Sequence, residues 1–215
     1  KRSMQIFPRE LNYLPLALAI VAGGLGAGVF ILFWVYFTPP NLQVGYTPKQ
    51  PVEYSHRLHA GELGLDCRYC HSQVERSHEA MVPPTQTCMG CHAVVHTESE
   101  KLAPVRESWE TDESIAWIRV HQLPDHAFFN HSAHLRAGVG CASCHGRVDQ
   151  MEVVGVVEPI AMQWCLECHR NPEPHIRPKS EVTNMKWEAD EAWVEQRAMI
   201  ADVLNPPEHC SGCHR

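Results

Sequence analysis

Apolar residues along this chain are gathered into one long block and are sparse elsewhere. From Leu14 to Phe37, 24 consecutive residues carry no charge, reading LPLALAIVAGGLGAGVFILFWVYF. A bilayer core of roughly 30 Å needs about 20 helical residues, so the block predicts a helix that spans one with some tilt. Its far end is aromatic, with Phe30, Phe33, Trp34, Tyr36 and Phe37, a composition suited to a membrane interface. The run is longer than the roughly 7–15 apolar residues of a signal peptide, and Thr38, Pro39 and Pro40 follow it where a small-residue cleavage site is expected. An uncleaved anchor is the prediction. The competing reading, a buried core helix, lacks a comparably apolar partner elsewhere in the chain.

Beyond the block the pattern changes. Thr38 to Val52 holds four prolines and little periodicity, and predicts an extended linker that lifts the following domain from the bilayer. Trp187 to Leu204 has apolar residues at 187, 194, 198, 201 and 204, close to helical spacing, and Asn205-Pro206-Pro207 stops it. The WIRVHQLPDH segment, 117–126, predicts a short helix ended by Pro124. Inside the apolar block, Gly23, Gly24, Ala27 and Gly28 form a small-x-x-x-small face that permits close approach of another helix.

Charge adds an orientation. Lys1, Arg2 and Arg9 precede the apolar block, whereas Thr38 to Pro48 carries no charge, so the positive-inside tendency leaves the N-terminus cytoplasmic and everything after Phe37 outside. The first 13 residues carry three basic and one acidic side chain, so of the net −7 the remainder holds −9. An acidic outer domain argues against nucleic acid as a partner.

The cysteines then name a chemistry. All ten fall into five C-x-x-C-H units: Cys67–Cys70–His71, Cys88–Cys91–His92, Cys141–Cys144–His145, Cys165–Cys168–His169 and Cys210–Cys213–His214. This is the attachment signature of c-type haem. Two thiols on one turn of chain add across the two haem vinyl groups, and the adjacent histidine lies under the ring to coordinate iron. A disulfide framework has no reason to place histidine after every second cysteine. Zinc sites draw their remaining ligands from a distant pair, and a thioredoxin-like pair occurs once, inside a βαβ pattern absent here. Five covalently bound haem c groups are therefore expected, with no catalytic residues.

Ten of the 15 histidines remain after the motifs are counted, a surplus that suits bis-histidine irons closed to substrate. The surplus is ordered. Tyr54-Ser55-His56-x-x-His59 precedes Cys67 by seven residues, and Phe129-Asn130-His131-x-x-His134 precedes Cys141 by six. The likeness continues through CHSQVE and CHGRVD, and each half runs past a proline, Pro84 or Pro159, into CMGCH or CLECH. The chain thus carries a duplicated module of H-x-x-H followed by two haem sites, and a fifth site outside the repeat. The fifth distal ligand is read as His121, with Met151 as the alternative; Met162, His78, His96, His175 and His209 follow.

H-x-x-H before C-x-x-C-H is similar to the class III (c3/c7) multihaem cytochromes. That resemblance implies that His56 caps the haem of His71 and His131 that of His145, while His59 and His134 reach neighbouring haems, most simply those of His92 and His169. The predicted organisation is a cytoplasmic N-terminus (1–13), a transmembrane anchor (14–37), a linker (38–52) and a periplasmic pentahaem domain (53–215). Within the last, modules cover 53–110 and 125–175 and the fifth site 209–215. With about 163 residues around five haems, porphyrins supply most of the core. The predicted fold class is therefore a mainly α/irregular multihaem cytochrome c, with one transmembrane helix and a haem-packed domain of short helices and loops.

Nearly the whole chain resembles the pentahaem cytochrome c subunit (ActA) of alternative complex III. The likeness lies in one N-terminal span, YSHRLHAGELGLDCRYCH, PPTQTCMGCH, RVHQLPDH with FNHSAH, GVGCASCHGRVDQME, MQWCLECHR and CSGCHR. It implies an electron-transfer subunit in the bacterial inner membrane, within a quinol-oxidising respiratory or photosynthetic complex. The implied partners are integral-membrane quinol-binding subunits, an iron–sulfur subunit and a monohaem cytochrome c, with a soluble acceptor or terminal oxidase receiving the electrons. A stand-alone membrane quinol dehydrogenase of the NapC/NrfH type is the alternative. Against it, Cys67 lies 30 residues beyond Phe37, and Ser72, Gln73 and Val74 follow His71 where that family has a methionine. A pentahaem nitrite reductase needs one open iron, usually with lysine in place of a motif histidine, and all five motifs here carry histidine.

Overall fold

The computed structural model describes residues 8–37 and 44–215, with side chains up to Tyr36 in the first segment. Lys1 and Arg2, the Phe37 side chain and linker residues 38–43 lie outside the described residues. The chain divides into two compact units, Lys1–Pro40 and Asn41–Arg215.

The first unit is α1 (Leu14–Phe37), preceded by a 3-10 turn, Arg9–Tyr13. Together they form one rod, Arg9–Tyr36, whose most apolar stretch has a mean hydropathy of 2.4 and no buried residue. It is long and apolar enough to cross a membrane. An added Cβ at Gly23, Gly24, Gly26 or Gly28 meets nothing within 4 Å, so the small-residue face is open.

The second unit is built from short helices: α2 (Cys67–Cys70), α3 (Thr85–His92), α4 (Ala103–Thr111), α5 (His131–Ala137), α6 (Ala142–His145), α7 (Met162–Arg170), α8 (Glu191–Val203) and α9 (Cys210–Cys213). Among the described residues the only β pairing is two isolated bridges, Ala127 with His214 and Val139 with Ile176. Local chemistry sets the helix starts. Asp66, Asn130 and Asp190 each accept a backbone N–H of the first turn, at Arg68, Ala133 and Trp193. Gly138, at φ 88°, closes α5 in the left-handed region.

The protein core is thin. Among the described residues the buried apolar ones are Val52, Val74, Val105, Val120, Leu135, Val156, Ile176 and Val182, of which Val74, Leu135 and Val182 form a cluster, with Ala80 against it.

Three segments differ from their sequence patterns. Helix α8 starts at Glu191 because the Asp190 carboxylate caps it, while Trp187 instead lies under the Arg177 guanidinium, 5.1 Å from its ring centre, and edge-on to Trp193. No helix forms over WIRVHQLPDH; the Gln50 side chain clamps both the N–H and the C=O of Ile118, at 2.9 and 2.8 Å, and holds that stretch extended. The described part of the linker is built into the domain: Gly45 N–H donates to Val156 O and Val156 N–H to Tyr46 O, at 2.7 and 3.0 Å.

Candidate haem sites

Every C-x-x-C-H unit sits on a helical turn. Cys67 and Cys70 bound α2, Cys88 to His92 end α3, and Cys141 caps α6, which holds Cys144 and His145. Cys165 to His169 lie in α7, and Cys210 and Cys213 bound α9. A spacing of three residues on a turn puts both thiols on one side. All ten cysteines are free thiols. Burial pushes the Cys144 thiol up to about 12 and raises Cys70, Cys88, Cys165 and Cys168, so these sulfurs stay protonated and neutral.

Four of the five motif histidines are held by their backs. The Nδ1 atoms of His71, His92, His169 and His214 lie 2.6, 3.0, 2.7 and 3.1 Å from the carbonyl oxygens of Met81, Val95, Pro207 and His126. A carbonyl only accepts, so each Nδ1 carries the proton and each Nε2 presents a lone pair. The same device holds three H-x-x-H histidines. His59 Nδ1 donates to Ser55 O, His134 to Asn130 O and His131 to His78 O, each at 2.8 Å. This is how iron- and zinc-binding imidazoles are oriented in general.

Two imidazoles on one iron, with metal–nitrogen bonds of about 2 Å, hold their ring centres about 6 Å apart. His59 faces His92 at 6.2 Å, His134 faces His169 at 6.2 Å and His131 faces His145 at 6.4 Å. Among the described residues no three His, Cys, Asp or Glu side chains converge into a cage for a bare ion. The duplication extends to ring geometry: Tyr54 meets His56 edge-on at 4.8 Å and stacks on His59 at 4.4 Å, and Phe129 meets His131 and His134 at the same two distances in the same two ways.

His56 neighbours His71, and its Nδ1 is buried without a hydrogen-bond partner. His121 meets His145 edge-on at 4.4 Å, closer than two ligands of one iron, and its Nε2 is likewise buried without a partner. Orphaned buried nitrogens are rare in finished folds and mark a missing contact. The structure thus places His121 at the third motif. Met151 lies against the first H-x-x-H segment, where its carbonyl accepts Arg57 N–H at 3.0 Å. The histidine brought to the fifth motif is His126, with ring centres 5.6 Å from His214 and planes 24° apart. Its sequence signal was present, because His121 and His126 share one short segment, but spacing alone does not say which one turns to the C-terminus.

Burial lowers the basicity of these imidazoles. His56 falls to about 4 and His145 to about 3, the latter with His121, His131, His71 and His56 as charged-state neighbours. His121, His131 and His134 are also lowered, with burial the first cause. They are neutral at physiological pH, so a metal does not compete with protons for them.

No family model matches the chain. The menaquinone reductase multihaem cytochrome c subunit of Nitratidesulfovibrio vulgaris (strain Hildenborough) is 26% identical over 203 residues, covering 89% of this chain and 88% of that protein.

Proposed function

We propose that this chain is a membrane-anchored pentahaem c-type cytochrome that conducts electrons within a quinone-linked complex. The observation that carries it is the meeting of motif and non-motif histidines in pairs at 6.2–6.4 Å, with His59, His92, His131, His134 and His169 each oriented through Nδ1. The ten cysteines hold the haems by thioether bonds, and His71, His92, His145, His169 and His214 are the proximal ligands. His59 is opposite His92, His134 opposite His169, His131 opposite His145, His56 opposite His71 and His126 opposite His214. When bound, haem c supplies an iron that gains and loses single electrons. The paired histidines would hold each iron, and burial keeps His56, His131, His134 and His145 unprotonated. A sealed iron conducts and does not bind substrate, so the chain is an electron-transfer subunit.

Helix α1 anchors it, and the basic N-terminal residues place the haem domain on the periplasmic face of the inner membrane. Its partners are the integral-membrane quinol-binding subunits, an iron–sulfur subunit and a monohaem cytochrome c, as in alternative complex III. In that reading electrons run from quinol outward to a soluble acceptor. The relative's printed role, menaquinone reductase, favours a second reading in which they run inward to a quinone. A stand-alone quinol dehydrogenase differs from both, because the isolated subunit then oxidises quinol itself.

Mass spectrometry and pyridine haemochrome assay of the purified holoprotein read the haem count directly; fewer than five sinks the count. Low-temperature EPR is expected to show low-spin ferric haem throughout. Mixing the native complex with quinol, and separately with a reduced periplasmic donor, tells the two directions apart.

A further inference from the structure

The order of the motifs in space differs from their order in sequence. The first and second motifs are neighbours: an added Cβ at Gly90, between Cys88 and Cys91, lies 3.8 Å from the hydroxyl of Tyr69, between Cys67 and Cys70. Tyr54 also contacts His56 and His59, one histidine for each site. The first and third motifs meet across the two modules. Thr183 and Val182 form the joint: Cys67 Sγ approaches Thr183 O at 4.0 Å, Thr183 Oγ1 donates to Asp66 at 2.9 Å, and Cys141 N–H donates to Val182 O at 3.0 Å. Val74, Leu135 and Val182 form a buried cluster at this joint. His131 N–H and Ser132 N–H donate to His78 O and Ser77 O, at 3.1 and 3.2 Å, and tie the same two modules.

The third and fourth motifs repeat the first relation, with Phe129 contacting His131 and His134, one histidine for each site. The fourth and fifth are joined by the Pro207–Glu208 segment. His169 Nδ1 donates to Pro207 O at 2.7 Å, Arg170 pairs with Glu208 at 3.3 Å, and Gly212 packs so closely on Pro207 that a Cβ there has no room. Of the ten cysteines, only Cys91 and Cys210 are exposed, one in the second motif and one in the fifth.

We propose that the haem sites form a single file in the order second, first, third, fourth, fifth, with the two modules joined head to head at Cys67 and Cys141. The inference rests on the pentahaem reading. Its consequence is that the terminal sites, Cys88–His92 and Cys210–His214, are where redox partners deliver and remove electrons, while the first site is internal. Each hop moves one electron, oxidising one ferrous iron and reducing the next ferric one, with no bond formed or broken. A one-electron donor at one end and an oxidised acceptor at the other complete the balance.

Haem deletion in the full-length holoprotein tests the order. Cys67→Ala with Cys70→Ala removes the first haem, and Cys88→Ala with Cys91→Ala the second. Mass spectrometry confirms four haems in each, and EPR-monitored redox titration counts how many remaining haems change potential or lose spin coupling. The file predicts two altered neighbours on loss of the first haem and one on loss of the second. The reverse count, one and two, overturns it in favour of sequence order. If a deletion variant does not assemble, His71→Met and His92→Met keep the covalent haems, shift their potentials and give the same two-against-one count. A native chain with fewer than five haems defeats the pentahaem reading itself, whereas five haems with the wrong neighbour count defeat only the order.

Discussion

The two H-x-x-H modules share one sequence pattern and one local geometry, yet sit in different surroundings. In the second, Asn130 caps a regular helix, His131 Nδ1 is satisfied by His78 O, and Gly138 abuts the carbonyl of Arg177. In the first, a wider π-type turn, Arg57–Glu62, is stitched by Ser55 Oγ, His56 Nδ1 is left without a partner, and Gly64 faces open space. The aromatic residue ahead of each H-x-x-H makes the same edge and stack contacts in both. The comparison separates what a short repeat can carry from what packing imposes. The contacts that orient His59 and His134 span four residues and are duplicated, whereas His131 is oriented by His78 O, 53 residues away, and His56 has no such partner. Stabilising contacts reach across the chain and are not.

The largest expected effect tests the shared part. His59→Ala and His134→Ala are each expected to convert one low-spin haem to a high-spin, carbon-monoxide-binding form, read by EPR and difference absorbance. A change in only one variant breaks the equivalence of the modules.

The next effect separates them. Gly138→Ala forces a Cβ into the Arg177 carbonyl at a residue of positive φ, and is expected to cost about 3 kcal/mol of stability, combining left-handed strain with overpacking. Gly64→Ala, with φ +70° but open surroundings, carries the strain alone, about 1 kcal/mol. Chemical denaturation of the holoprotein checks both, and equal losses contradict the packing difference.

Smaller still is Asn130→Ala, which removes the α5 cap and is expected to lower stability by about 1 kcal/mol, leaving the haem spectra low-spin. Last, Tyr54→Phe reproduces the Phe129 environment in the first module. Burial raises the Tyr54 hydroxyl well above its ordinary range, so it stays protonated, and its removal is expected to leave the haem spectra unchanged. A spectral shift at the first or second site assigns the hydroxyl a role that the second module lacks.

Much of the site was legible before the fold. C-x-x-C-H needs only one helical turn to present two thiols and an imidazole, and all five motifs adopt one. The facing of His59 with His92 and of His134 with His169 was expected from a resemblance, and the structure brings each of these ring pairs to 6.2 Å. The segment 117–126 was less legible. A short helix ended by Pro124 was expected there, but the Gln50 side chain, 68 residues from Ile118, captured the backbone groups that a helix needs. With that stretch extended, His121 meets the third motif and His126 the fifth.

By itself, the sequence determined the apolar length of α1, the thiol and imidazole chemistry of the five motifs and the internal repeat. Each depends on contacts within a few residues or on composition. Only the tertiary structure decided which segments meet, because Thr183 and Val182 hold Asp66 and Cys141 together, and Pro207 ties the segment before the last motif to His169. Those contacts join positions remote along the chain, where spacing carries no information about proximity.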